Sequence, residues 1–154
     1  MKKIIIIILV LLSFSTHAQV SIAHIEKATA TFCQTRHSAA LSKPEVQYGN
    51  FTFIAPDSIV WKYKDNTSLR LPPPILNMLR KTISGDISAL KNTFDLSWKG
   101  KLLRLTPRKS QLQRIFSYLE ITFTNEGVAS DVVLMETNLD KTIIQFQNLK
   151  YTTK

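Results

Sequence analysis

The chain has 154 residues, room for one domain, with twenty Lys and Arg against eleven Asp and Glu for a formal net charge of +9. An apolar fraction of 44% is enough to bury a core, which excludes disorder and fibrous repeats. A single cysteine, Cys33, excludes an internal disulfide framework and any zinc site built from several thiolates.

Lys2 and Lys3 form a short positive region, Ile4 to Leu12 is an unbroken apolar run, and Thr16-His17-Ala18 fits a small-x-small cleavage site. Residues 1–18 therefore read as a secretory signal peptide, and residues 19–154 as a single exported domain starting near Gln19. The apolar run is too short to span a bilayer core, which takes roughly 20 helical residues. In a bacterium the destination is the periplasm.

Ile22, Ile25, Thr29, Phe32 and Cys33 fall at helical spacing behind Ser21, a candidate N-cap, which predicts an amphipathic helix from Ser21 to about Gln34. From Gln47 the pattern changes to alternation. Phe51 and Phe53, then Ile59, Trp61 and Tyr63 after Pro56-Asp57, predict two strands joined by a turn. Pro72-Pro73-Pro74 cannot continue a strand interior and precedes Ile75, Leu76, Leu79 and Ile83 at helical spacing, so a short helix begins there and ends at Gly85. Asp86 caps a second short turn carrying Ile87, Leu90 and Phe94. Phe94, Leu96 and Trp98 alternate into Lys99-Gly100 and Leu103 and Leu105 alternate out, a hairpin. Leu119, Ile121 and Phe123 run into Asn125-Glu126-Gly127, followed by Val132, Leu134, Ile144 and Phe146, a meander. The sum is an α+β domain whose curved antiparallel sheet faces an N-terminal helix and a helical insert.

Charge is unevenly placed along the chain. Residues 62–114 carry twelve Lys and Arg against three Asp and Glu, while the rest of the exported chain has six against eight. The local basic surface suits an anionic membrane surface or an acidic partner, and its plain reading is a solvated face; nucleic acid is a poor fit to an exported protein.

The residues that catalysis needs are sparse. His24 and His37 have no Asp or Glu at ligand spacing, Cys33 lies on the apolar side of the first predicted helix as a small hydrophobe, and Asp57 and Asp86 have turn and cap roles. No Gly-x-Ser-x-Gly elbow, Gly-rich phosphate loop or carboxylate pair set among apolar residues is present, so the expectation is a protein that is not an enzyme and takes no cofactor or metal. Phe51, Phe53, Trp61, Trp98 and Phe123 read as ordinary core or, alternatively, as the lining of a cavity that a curved sheet leaves on its concave side.

Phe32-Cys33-Gln34-Thr35, Tyr48-Gly49-Asn50-Phe51 and Pro56-x-x-x-x-Trp61-Lys62-Tyr63, followed by Leu105-Thr106-Pro107-Arg108, the Asn125-Glu126-Gly127 turn and Thr142-x-Ile144-x-Phe146-x-Asn148, resemble in order the LolA-like family of periplasmic outer-membrane lipoprotein carriers. The resemblance implies an unclosed β-barrel with an N-terminal helix and short lid helices over a concave face that holds acyl chains. It implies a cargo of acylated lipoprotein or glycolipid, an inner-membrane ABC transporter as donor and an outer-membrane acceptor. Under it the lipid-binding cavity is lined by Phe51, Phe53, Ile59, Trp61, Tyr63, Ile75, Leu76, Met78, Leu79, Trp98, Ile121 and Phe123, and a charge at Leu79 or Phe53 is expected to abolish lipid binding in a folded protein. Three departures stand out. Ala55 occupies the place of an arginine that often precedes the proline, the stretch from Tyr63 to Pro72 is too short for a further strand pair, and the sequence given stops at Lys154 soon after the Asn148 motif. A cargo of glycolipid or lipid-linked pigment is the alternative within the family. Outside it, the alternative is an exported non-enzymatic interaction module with a basic docking face and a solid core.

Overall fold

The segment expected to be the N-terminal helix is a strand, β1 (Ile25–His37), preceded by residues 20–24 outside any regular element. Ala28, Ala30, Phe32 and Gln34 are buried at every second position and alternate with Thr29, Thr31, Cys33 and Thr35. A few apolar residues fitted the helical period as well as the strand period. The threonines decide between the two, because a β-branched side chain loses little freedom on a pleated surface and more in a helix. The strand is also demanded from both sides, since it pairs antiparallel with β2 (Glu45–Ile54) and with β8 (Lys141–Thr153). Cys33 moves with it: it lies opposite Tyr48 and Gln145, on the face away from the core, and is half-buried.

The computed structural model of the chain describes residues 20–65 and 70–154, so the signal-peptide reading of residues 1–18 lies outside the described residues. The remaining expected strands form: β3 (Ser58–Tyr63), β4 (Phe94–Lys99), β5 (Leu102–Pro107), β6 (Phe116–Phe123) and β7 (Ala129–Glu136). All pair antiparallel in one sheet of eight strands, in the order β3-β2-β1-β8-β7-β6-β5-β4. The first and last strands in that order are not paired with each other, so the sheet stays open with β3 and β4 as its edges. The predicted helix after the prolines is α1 (Pro73–Ile83), and Asp86 accepts from the Ser88 hydroxyl at 3.1 Å at the head of a 3₁₀ turn, Ser88–Leu90. A single-turn helix, α2 (Ser110–Gln113), lies between β5 and β6, outside the expected elements. No helix among the described residues is long and apolar enough to cross a membrane.

Alternation puts one face of every strand into a single core cluster that includes Phe32, Phe53, Leu103, Leu105, Leu119, Ile121 and Ile144. The halves are joined at β1 and β8, where β8 carries one extra residue between Lys150↔Thr29 and Gln147↔Thr31. Asn148 takes the left-handed conformation there at φ 53°, which asparagine tolerates better than most residues. At the other end of the pair Arg36 donates to Asp140 at 2.8 Å, and the Ser38 hydroxyl, with that guanidinium, holds the Asp140 carboxyl below the usual carboxylate range. Gly127, at φ 78°, ends the β6–β7 turn and accepts from Ala23 N–H at 3.0 Å. A Cβ there would land on the Ser21 carbonyl oxygen, so glycine is what lets the chain before β1 dock along the core.

Candidate functional site

Helix α1 roofs the apolar face of the open sheet. Its Ile75, Met78, Leu79, Thr82 and Ile83 are buried in the same cluster as Phe51, Phe53 and Ile121, while Pro74 and Asn77 face solvent. The helix starts without a side-chain cap, but Pro72 and the prolines after it suit a first turn whose N–H groups would have no partner in any case. Ile75 and Leu76 donate to the Pro72 carbonyl, and Arg80 and Lys81 in the last turn complement the negative end of the helix.

Polar ties hold this roof at each end. At its entrance Leu71 N–H donates to the Tyr63 hydroxyl at 3.1 Å, and that hydroxyl donates to Gln34 Oε1 at 3.0 Å, linking α1 through β3 to β1. Burial raises the Tyr63 phenol above its usual value, with the Leu71 N–H acting the other way, so the group stays neutral and a donor. At the far end Arg80 pairs with Asp57 and reaches the Pro56 carbonyl at 3.5 Å, in the β2–β3 turn. Ala55 precedes that proline, and the arginine that reaches the turn is Arg80, from the helix. The Asp57 side chain is 77% exposed, so this pair contributes at most about 1 kcal/mol. The double variant Arg80→Ala with Tyr63→Phe is expected to melt within a few degrees of the parent and to take up an apolar fluorescent probe faster, by stopped-flow; an unchanged uptake rate would mean that these ties do not hold the helix down.

The residues expected to line one cavity all reach this side of the sheet, but they do not enclose an empty one. Phe51, Phe53, Ile75, Met78, Leu79, Ile121 and Phe123 are buried against one another, so the concave space is filled by side chains of α1. Ile59, Trp61, Tyr63, Leu76 and Trp98 pack at its margins and are half-buried. The expectation that a charge at Phe53 or Leu79 leaves a folded protein is corrected by the same burial, 0% and 1% exposure, because a carboxylate there would have no water and no partner.

Open space lies on either side of the helix. A cleft of about 450 Å³ next to β3 has Trp61, Tyr63, Leu71 and Leu76 as its apolar wall and Lys62, Lys64 and Arg70 at its rim. A second, of about 520 Å³ next to β4, is walled by Val20, Ile22, Ile87, Leu96 and Trp98. Volumes of this size lie in the range of small-ligand sites. Behind the first cleft stands an aromatic cluster: Phe32 stacks on Trp61 with ring centres 4.2 Å apart and meets Tyr63 edge-on at 5.4 Å, and Phe51 packs on Phe146 at 5.4 Å. Trp61 Nε1 is buried near the Tyr63 hydroxyl without the geometry of a hydrogen bond. Sequence reasoning missed Phe32, Leu71 and the Val20–Ile22 wall. Phe32 was legible in the alternation with Ala28 and Ala30; the other two are placed only by the tertiary fold. His24 sits apart, in a polar cleft with Arg80, Lys81 and Asp57, and no group of His, Cys, Asp and Glu suited to a metal gathers among the described residues.

No family model matches the chain, and no curated protein matches it. Among solved structures it is similar to a DUF1329 family protein from Desulfovibrio piger, at 9% identity and a TM-score of 0.37, over 82% of this chain and 86% of that one. The likeness is distant.

Proposed function

We propose that the chain is an exported, non-enzymatic carrier that takes up acyl chains beneath α1, in the manner of the LolA-like proteins its motifs resemble. The observation that carries this reading is the roof itself: one amphipathic helix lies over the apolar face of an open sheet, with polar ties at its two ends and a cleft on each side. Enclosing a chain of ~14 carbons at ~0.8 kcal/mol per methylene would stabilise the complex by about 11 kcal/mol before ordering costs, too tight a grip for release. A helix that fills the empty site with its own Ile75, Met78 and Leu79 exchanges protein contacts for lipid contacts, so the net affinity stays modest. The cargo under this reading is an acylated lipoprotein or a glycolipid. An inner-membrane ABC transporter would donate it and an outer-membrane protein accept it, with the carrier crossing the periplasm between them.

The filled inner face favours a second reading, an exported interaction module with a solid core. Native mass spectrometry with lipid extraction separates the two. The carrier reading expects bound lipid after purification from the periplasm and near one-to-one rebinding of a lysophospholipid to delipidated protein. A clean mass that takes up no acyl ligand would overturn it in favour of the solid module.

A further inference from the structure

Charge on the solvent face of the sheet is arranged differently in its two halves. On the β4–β7 half the two arginines are paired: Arg104 pairs with Glu120 and stacks over Tyr118 at 4.2 Å, and Arg108 pairs with Asp95, while Lys99 on β4 makes no ion pair among the described residues. On the other half, the outward positions of β3, β2, β1 and the end of β8 hold Lys62, Lys27 and Lys150, and none of the outward positions in this register is Asp or Glu. Lys64, just past β3, lies over the Tyr48 ring at 5.9 Å. Among the described residues these lysines make no ion pair. The acids nearest in sequence are Asp57, which is taken by Arg80, Asp65, which follows Lys64 past the end of β3, and Glu26, where β1 shifts register.

Between the lysines the same face exposes large apolar side chains, Val46, Tyr48, Ile54 and Val60, each 41–49% exposed. They are spread among the cations by the register. Ile54 stands directly across from Lys27, and Val60, Thr52, Thr29 and Lys150 form one row over four strands. By ordinary sheet spacings the patch is about 14 Å across and about 20 Å along the strands. Protection of a free edge explains lysines on an edge strand. It does not explain Lys27, which is paired on both sides, across from Ile54 of β2 and Thr152 of β8; Lys150 lies where β8 has run past its pairing with β7.

We propose that this outer face of β3-β2-β1-β8 docks on the surface of an anionic phospholipid bilayer, with the lysines at the phosphates and Tyr48, Ile54 and Val60 at the headgroup level. One sign of charge without matching acids is the complement of such a surface, and aliphatic and tyrosine side chains beside lysines suit its amphipathic boundary. The face lies opposite the one roofed by α1; Lys62 and Lys64 belong both to it and to the rim of the cleft next to β3, so docking brings that rim to the bilayer and leaves the cleft next to β4 away from it. It is independent of the carrier reading, and delipidated protein tests it separately.

The experiment is co-sedimentation of delipidated protein with vesicles of phosphatidylglycerol in phosphatidylcholine, and with phosphatidylcholine alone, across a salt series. Binding is expected only to the anionic vesicles and to weaken as salt rises. Each lysine removed should cost about fivefold in affinity, so Lys62→Gln with Lys150→Gln should lose about 25-fold. Lys91→Gln with Lys109→Gln, away from this face, should lose little. Ile54→Ser with Val60→Ser should leave the salt dependence and lower affinity at every salt. Equal binding to neutral vesicles, equal losses in the two lysine pairs, or no binding to either vesicle would each overturn the proposal.

Discussion

Phe53→Asp is expected to yield no cooperatively folded protein. Phe53 is fully buried on the inner face, where β2 lies between β1 and β3. Loss of the ring alone costs about 3–5 kcal/mol, and an unpaired buried carboxylate adds several more, against a typical total stability of about 5–15 kcal/mol. Leu76→Glu is the informative partner. Leu76 is on the same helix as Leu79 but is half-buried and lines the cleft next to β3, so a carboxylate there keeps its water. That variant should melt within a few degrees of the parent by circular dichroism and lose binding of a fluorescent fatty acid by tenfold or more. A folded Phe53→Asp would show that α1 does not seal the inner face; a Leu76→Glu variant that binds as the parent does would remove the β3 cleft from the path of the ligand.

Gly49→Ala is the smallest substitution with a large expected effect. A Cβ at this position would stand 2.6 Å from Phe32 Cε1 and closer still to Phe32 Cζ and the Lys62 carbonyl oxygen. The Phe32 ring lies over the glycine from the neighbouring strand and is itself stacked on Trp61, so it has no free space to move into. The Lys62 carbonyl belongs to the edge strand β3 and could yield only by distorting its pairing with β2. Overpacking of this kind costs about 1–3 kcal/mol, with added cost where backbone must shift. A loss of about 3 kcal/mol lowers the melting temperature of a domain of this size by roughly 10 °C. The expected readouts are that drop in a thermal melt and a changed Trp61 emission in a Trp98→Phe background. Asn50→Ala, the exposed neighbour, should change neither. An unshifted melt for Gly49→Ala would mean that Phe32 does not cover β2 at this point.

Wherever the polar and apolar residues alternate cleanly, the sequence determined the local structure without help. Phe51/Phe53, Ile59/Trp61/Tyr63, Phe94/Leu96/Trp98 and Leu119/Ile121/Phe123 are strands because a two-residue period can bury only one face. The prolines at 72–74 and Gly85 set the limits of α1 because one removes N–H groups and the other accepts a left-handed turn, at φ 83°. Tertiary structure decided the first segment. Ile22, Ile25, Phe32 and Cys33 fit two periods, and only pairing on both sides, by β2 and β8, made Ile25–His37 a strand in mid-sheet. It also decided the site. Twelve residues expected around a cavity share one face, but whether that face holds lipid or the helix's own side chains depends on where α1 rests. Periodicity says which side of a helix is apolar; it carries no information on what that side covers, because burial is a relation between segments distant in the chain.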